Sequence, residues 1–225
     1  LTEHTHHAIL PMFSDMAKPP EKRYRTIVAD PPWKLQLGPT LTEKRVKPAL
    51  EYPQMEQHQL LNLPVGLWGE DKAHLYLWAT NSTLGDALEL AKVWGFKYSC
   101  LITWLKRRVP GEGSDGEPSA WDDRWQGLGR YYRITTEHVV FAVRGGLDVM
   151  HKDQVNFFYA ARGRHSEKPA AFYDMVERMS PGPYLDVFAR KRRLGWDVFG
   201  NESFNAEGLE ATLTDEQKSG LTFAP

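Results

Sequence analysis

The chain predicts an α/β fold, a mostly parallel sheet with helices on both faces, and three observations carry that expectation. First, runs of β-branched and aromatic residues at 25–29, 74–79, 98–105, 138–143, 155–159, 184–188 and 196–199 are nearly continuous in apolar character, as strands buried on both faces must be. Second, helical stripes fall between some of them. Leu84, Ala87, Leu88 and Ala91 follow the i, i+3, i+4, i+7 rule, with Asn81 or Ser82 as cap and Gly95 as stop. Phe172, Met175, Val176 and Met179 do the same between Pro169 and Pro181-Gly182. Third, the two kinds of segment alternate, which is the pattern of layered α/β domains, and ligands of such sheets bind beyond the carboxyl ends of the strands. The last two runs are separated only by residues 191–195, too few for a helical crossover, so an antiparallel strand is expected near the C-terminus.

With 225 residues, 41% of them hydrophobic, there is material for one substantial core. The expected division is an arm over 1–22, a domain over 23–204 and a tail over 205–225, with a mobile loop at 109–129 rich in Gly, acids and Trp. No run approaches the ~20 apolar residues of a membrane span, and the first residues lack a basic patch followed by an apolar stretch, so a cytoplasmic protein without a membrane partner is expected. Cys100 is the only cysteine, which excludes an intrachain disulfide and a Cys-rich zinc site. His4, His6 and His7 have no Cys or carboxylate at ligand spacing, and no metal site is assigned. Net charge is -1, so no global basic field marks a nucleic-acid binder. Basic residues cluster instead at 106–108, 162–164 and 190–193, either as solvated faces or as parts of a site.

The run 25–29 stops at Asp30-Pro31-Pro32-Trp33. Two prolines make a stiff turn with no N–H groups and with backbone carbonyls available as acceptors. Asp30 adds a carboxylate beside them, so the turn offers two acceptors to an exocyclic amine that carries two hydrogens. Trp33 offers a face on which a base could stack. The same four residues also suit a plain strand-ending turn in which Trp33 packs.

The segments "IVADPPW", "YPQMEQHQLLNLPV", "HLYLWATN", "ITWLK", "TEHVVFAVRG" and "RGRHSEKPAAFYDMVERMSPGPYLDVFARKRRLGWDVFGNE" occur in an order that resembles the MT-A family of N6-adenine methyltransferases, in its compact bacterial and phage form. The resemblance implies a Rossmann-like fold dependent on S-adenosyl-L-methionine, with Asp30, Pro31, Pro32 and Trp33 as the catalytic tetrapeptide and Tyr52 beside Trp33 at the adenine pocket. It implies cofactor contacts from Asp30, Ser166, Lys168, Asp186, Phe188, Arg190, Asn201 and Glu202. Phe188-Ala189-Arg190 stands where many methyltransferases carry a glycine-rich turn, and a side chain there constrains close backbone approach. Lys106, Arg107 and Arg130, flanking the long loop with Trp121 and Trp125, are expected to contact a nucleic-acid strand. His138 of the Glu137-His138 pair reads as a hydrogen-bonded structural histidine, with a catalytic role as the alternative. DNA is the expected substrate, since no separate RNA-binding module is evident. RNA, or a binding subunit dependent on a partner, is the alternative, and a homodimer or accessory chain is compatible with the modest basicity.

Overall fold

The computed structural model describes residues 22–34, 54–107, 131–162, 167–189 and 191–199. In chain order the elements are β1 (Tyr24–Ala29), α1 (Gln57–Leu61), α2 (Val65–Trp68), β2 (Gly69–Ala79), α3 (Leu84–Val93), β3 (Lys97–Arg107), β4 (Thr136–Arg144), β5 (Phe157–Ala161), α4 (Ala170–Met179), β6 (Tyr184–Val187) and β7 (Trp196–Phe199). The seven described strands form one sheet in the order β5-β3-β4-β2-β1-β6-β7. Four neighbouring pairs are parallel, and β4 runs antiparallel to both β2 and β3. The expected α/β sheet is therefore present.

The two-residue period of the strands sorts their side chains into two cores. Ile27, Ala29, Leu75, Leu77, Val140, Ala142, Leu185 and Val187 face one way and pack with Leu60, Trp68, Ala87 and Leu90 from α1, α2 and α3. Val28, Tyr76, Trp78, Ile102, Trp104, Val139 and Phe141 face the other way and pack with Phe172, Met175 and Val176 of α4. Helices thus cover both faces, and the face under α4 carries most of the aromatic mass.

Two local expectations change. The buried stripe of α3 is Ala87, Leu90 and Ala91, whereas Leu88 is 38% exposed, so the apolar seam is rotated from the one read in sequence. The pair β6–β7 is parallel, from Tyr184↔Trp196 to Val187↔Phe199, and not antiparallel. A return over so short a strand needs only about 13 Å at ~3.3 Å per residue, a distance that the eight residues between the strands span without a helix. The antiparallel strand of this sheet is β4, in mid-chain.

Gly95 does close α3, at φ +82, and a Cβ there would stand 2.8 Å from Nη2 of Arg144. That guanidinium donates to the carbonyls of Gly66, Trp94 and Gly95, tying α2 and the α3–β3 turn to the end of β4. At the other rim the chain leaves β6 through Phe188, whose φ of 67 is rare for a bulky residue. The N–H groups of Phe188 and Ala189 both donate to the Phe199 carbonyl, which holds this turn against β7. The left-handed position that a glycine would occupy at no steric cost is thus taken by an aromatic residue.

Among the described residues no helix is long and apolar enough to cross a membrane. The proposed loop at 109–129, the tail at 205–225 and all but the last residue of the arm at 1–22 lie outside the described residues.

Candidate active site

Strand alternation places Val28, Trp78, Trp104 and Val139 on the α4 face. Two residues beyond Val28 is Asp30, two beyond Trp104 is Lys106, and two before Val139 is Glu137. Because β4 is antiparallel, its start lies at the carboxyl ends of β1, β2 and β3, so these three charged residues meet at one rim. Lys168, two residues before α4, completes the group from above.

The four side chains alternate in charge. Lys106 Nζ is 2.5 Å from Glu137 Oε1, Lys168 Nζ is 3.3 Å from Glu137 Oε2, and Lys168 Nζ is 3.1 Å from Asp30 Oδ1. All are largely withdrawn from solvent, the side chain of Lys106 being 8% exposed and that of Lys168 12%. Their floor is aromatic: Lys168 stands 4.6 Å above the Trp78 ring centroid and Lys106 5.0 Å above that of Trp104. The two indoles meet edge to face at 6.0 Å. A cation over an aromatic face recovers part of its lost hydration, which lets the lysines sit here charged. Burial alone would raise the Glu137 carboxyl, but Lys168 and Lys106 outweigh it and hold it below the ordinary glutamate range. Burial would likewise lower Lys168, but Asp30 and Glu137 overcome it and raise its ammonium above the usual value.

Behind this chain lies Asp186 of β6, paired in register with Val28 and 6% exposed. Its Oδ2 accepts the Tyr173 hydroxyl at 2.8 Å. Burial pushes the Asp186 carboxyl up to about 7, the hydrogen bond from Tyr173 opposing and the nearby charge of Asp30 adding to it. Tyr173 is raised beyond the usual phenol range by burial and by Asp186. The Arg193 guanidinium covers the Tyr173 ring at 4.2 Å.

In the tetrapeptide, the Asp30 N–H donates to the Val187 carbonyl at 3.2 Å and binds the turn to β6. The Pro31 carbonyl accepts the Trp33 N–H and the Pro32 carbonyl accepts the Met55 N–H, each at 2.8 Å, so neither is wholly open as the sequence suggested. A carbonyl has two lone pairs, and each keeps one. Trp33 is 9% exposed and its indole N–H donates to the Trp78 carbonyl at 3.0 Å, so it takes the packing role set beside the stacking role above. Lys106 departs from expectation: its ammonium turns inward to Glu137 instead of outward to a strand. Arg107, the next residue, is exposed. His138 has ring nitrogens 3.2 Å from Thr103 Oγ1 and 3.2 Å from Asn81 Oδ1, the setting of a structural histidine, and burial lowers its pKa. Tyr52, Arg130, Ser166, Arg190, Asn201 and Glu202 lie outside the described residues.

Glu137, Trp78, Trp104 and Tyr173 escaped the sequence reading as site residues. A signal for Glu137 exists: it shares strand parity with Val139 and so points into the core side, where an acid requires a partner.

Five of the six ordered segments singled out in the sequence deliver a member of this group, the exception being residues 52–65, and the comparison with known families agrees. The MT-A70 family model matches residues 24–202. The chain belongs to the MT-A70 family. Among curated relatives of this MT-A70 member, it is 26% identical over 200 residues to "Type II methyltransferase M.MunI" of Mycoplasma sp, covering 81% of this chain and 79% of that protein. It is 25% identical over 191 residues to human "N(6)-adenosine-methyltransferase catalytic subunit METTL3", covering 80% of this chain and 28% of that one. A Medicago truncatula protein named as a putative N(6)-adenosine-methyltransferase is matched in the same way, 25% over 203 residues with 84% and 28% coverage. The chain thus spans most of the bacterial relative and little more than a quarter of these eukaryotic relatives.

Proposed function

We propose that this MT-A70 protein transfers a methyl group from S-adenosyl-L-methionine to the exocyclic N6 amine of adenine in DNA. The observation that carries the reading is the position of Asp30: a carboxylate at the carboxyl end of β1, on a stiff turn, with Lys168 at 3.1 Å. The amine lone pair is delocalised into the adenine ring and is a weak nucleophile. Asp30 accepts one amine hydrogen and the second lone pair of the Pro31 carbonyl accepts the other, which holds the nitrogen in line and favours its pyramidal, nucleophilic form. Lys168 pairs with Asp30 and orients it, and Glu137 with Lys106 keeps Lys168 in place. The methylated aminium is strongly acidic and loses its proton to Asp30 or to water.

The donor set fits the cofactor. A sulfonium-bearing amino acid presents two cations and a carboxylate, and the rim holds Asp30 and Asp186 for the former and Lys168 for the latter. When bound, S-adenosyl-L-methionine supplies an electrophilic methyl. The strained Phe188 turn places backbone at the same rim, a strain of about 1–3 kcal/mol that is commonly retained at functional sites. Ser166, Arg190, Asn201 and Glu202 would complete cofactor binding, Tyr52 would border the adenine pocket, with Trp33 packed behind the turn, and Arg107 and Arg130 would make the strand contact.

DNA is favoured because the bacterial relative is matched over most of its length. An RNA substrate is the second reading, supported by the names of the eukaryotic relatives. The test is transfer of labelled methyl to unmethylated DNA and to RNA, with the modified base identified by mass spectrometry. N6-methyladenine in DNA, lowered about a hundredfold or more in Asp30→Asn, is expected. Methyl transfer to RNA alone would replace the substrate, and equal rates in wild type and Asp30→Asn would remove Asp30 from the mechanism.

A further inference from the structure

The edge strand β5 shows an alternation that the site above does not use. Phe158 and Ala160 turn toward Trp104 and Phe172, while Phe157 and Tyr159 on the other face are 40% and 52% exposed. These two rings meet edge to face at 5.7 Å. The Arg107 guanidinium lies 4.5 Å from the Tyr159 ring centroid, and the Arg162 N–H donates to the Arg107 carbonyl at 3.3 Å, so two arginines stand at the carboxyl ends of β3 and β5. The Lys106 N–H donates to the Thr135 carbonyl at 2.9 Å, which brings the approach to β4, with Tyr132 at 83% exposure, alongside the same rim. Lys106 and Arg107, adjacent in sequence, therefore point to opposite faces: one into the buried charge chain, the other onto the aromatic surface.

The geometry points to this face of β5 and β3 as a stacking platform for single-stranded nucleic acid leading away from the target adenine. Aromatic faces accept any base, and interleaved arginines neutralise the phosphates between them. Continuity with the Asp30 rim and charge complementarity select this occupant over a second copy of the chain, which would have to bury Arg107 and Arg162 against themselves. β5 stands four strand positions from β1, about 19 Å at ~4.8 Å per strand, or roughly five to six stacked nucleotides at ~3.4 Å each. A strand must extend about that far from the reacting base before Tyr159 contributes. The proposal rests on the reading of the chain as a nucleic-acid methyltransferase and names where its substrate lies.

The experiment measures binding of fluorescent oligothymidylate, which contains no adenine and no methyl acceptor at issue, to the full chain without cofactor. A strand of about 20 nucleotides, long enough to cover the platform, is compared for wild type, Tyr159→Ala and Tyr159→Phe, with thermal melting as the folding control. Tyr159→Ala is expected to weaken binding of this strand about tenfold, the loss of one base–aromatic stack. Tyr159→Phe, which keeps the ring, restores the affinity. Arg162→Ala reduces the salt slope of long-strand binding by about 0.7. No binding of the long strand by wild type, or equal affinity in Tyr159→Ala, overturns the platform. So does a change from dimer to monomer in Tyr159→Ala without loss of strand affinity, which would assign the face to a second copy. Failed methyl transfer with Tyr159-dependent binding would remove only the enzymatic reading; transfer with Tyr159-independent binding would remove only the platform.

Discussion

Glu137 touches two ammonium groups at once, and its loss leaves both buried without their shared partner. Breaking such a pair costs about 3–5 kcal/mol, so Glu137→Gln, which keeps one acceptor, is expected to destabilise the protein by about 3 kcal/mol in urea unfolding at pH 7. The Glu137 carboxyl is held below its ordinary value, so its contribution is complete above about pH 4.5 and is lost as the pH falls through the lower folded value. The difference between wild type and Glu137→Gln should accordingly narrow only below about pH 4.5; a difference independent of pH would show that charge is not its source. Asp186 has the opposite sign. Its carboxyl is raised from 3.8 to about 7, so the folded state holds a proton that the unfolded chain releases, and stability falls as pH rises from about 4 to 7 and is then flat. That shift is worth on the order of 4 kcal/mol, and an unpaired amide N–H group takes back roughly 1–3. Asp186→Asn should therefore stabilise the free protein by about 1–3 kcal/mol at pH 8 and flatten the pH slope, while weakening S-adenosyl-L-methionine binding in calorimetry. A destabilised variant would show that Asp186 is paired more strongly than its contacts indicate. At this scale the stiff strand-ending turn at Asp30 was legible, because two prolines directly after a buried apolar run stop the strand there. The inward turn of Lys106 was not, since a Lys-Arg-Arg run reads as surface until strand parity separates its members.

A ten-residue helix shows how narrow the element-scale signal is. In α3 both Leu88 and Leu90 are available to a helical stripe, and only the position of β2 and β4 beneath the helix decides that Leu90 is buried and Leu88 exposed. Leu90→Ala should cost about 2–5 kcal/mol and Leu88→Ala less than about 0.5, measured by thermal or denaturant unfolding; equal costs would contradict the packing phase. The parallel β6–β7 pair escaped the sequence for a related reason. A short linker excludes a helical crossover but not a direct return, and the Phe188 turn that makes the return possible depends on a positive φ that no residue type at that position announces. Strand existence was legible throughout, because every described strand is apolar on at least one parity.

Across the whole molecule the two rims of the sheet have separate tasks. At one, Arg144 ties α2 and the α3–β3 turn to β4 through three carbonyls. Arg144→Ala leaves these acceptors without their donor and should lower stability by about 2–3 kcal/mol with cofactor affinity unchanged. A loss of cofactor affinity at full stability would contradict the separation. At the other rim, Asp30, Glu137, Lys106 and Lys168 are gathered from segments spread over more than half of the chain, above a floor of Trp78 and Trp104. The sequence supplied the members as motifs; their meeting depends on β4 running against its neighbours, which places Glu137 beside the ends of β1 and β3. We propose that this rim directs methyl transfer to the exocyclic nitrogen of adenine. The most direct measurement uses adenine labelled with ¹⁵N at the exocyclic position, in DNA, and a ¹³C-methyl donor, with carbon–nitrogen coupling read by NMR. One-bond coupling to the labelled nitrogen, absent in Asp30→Ala, is the expected result; a methyl signal without that coupling, on a ring nitrogen or another base, would rule out transfer to the exocyclic amine.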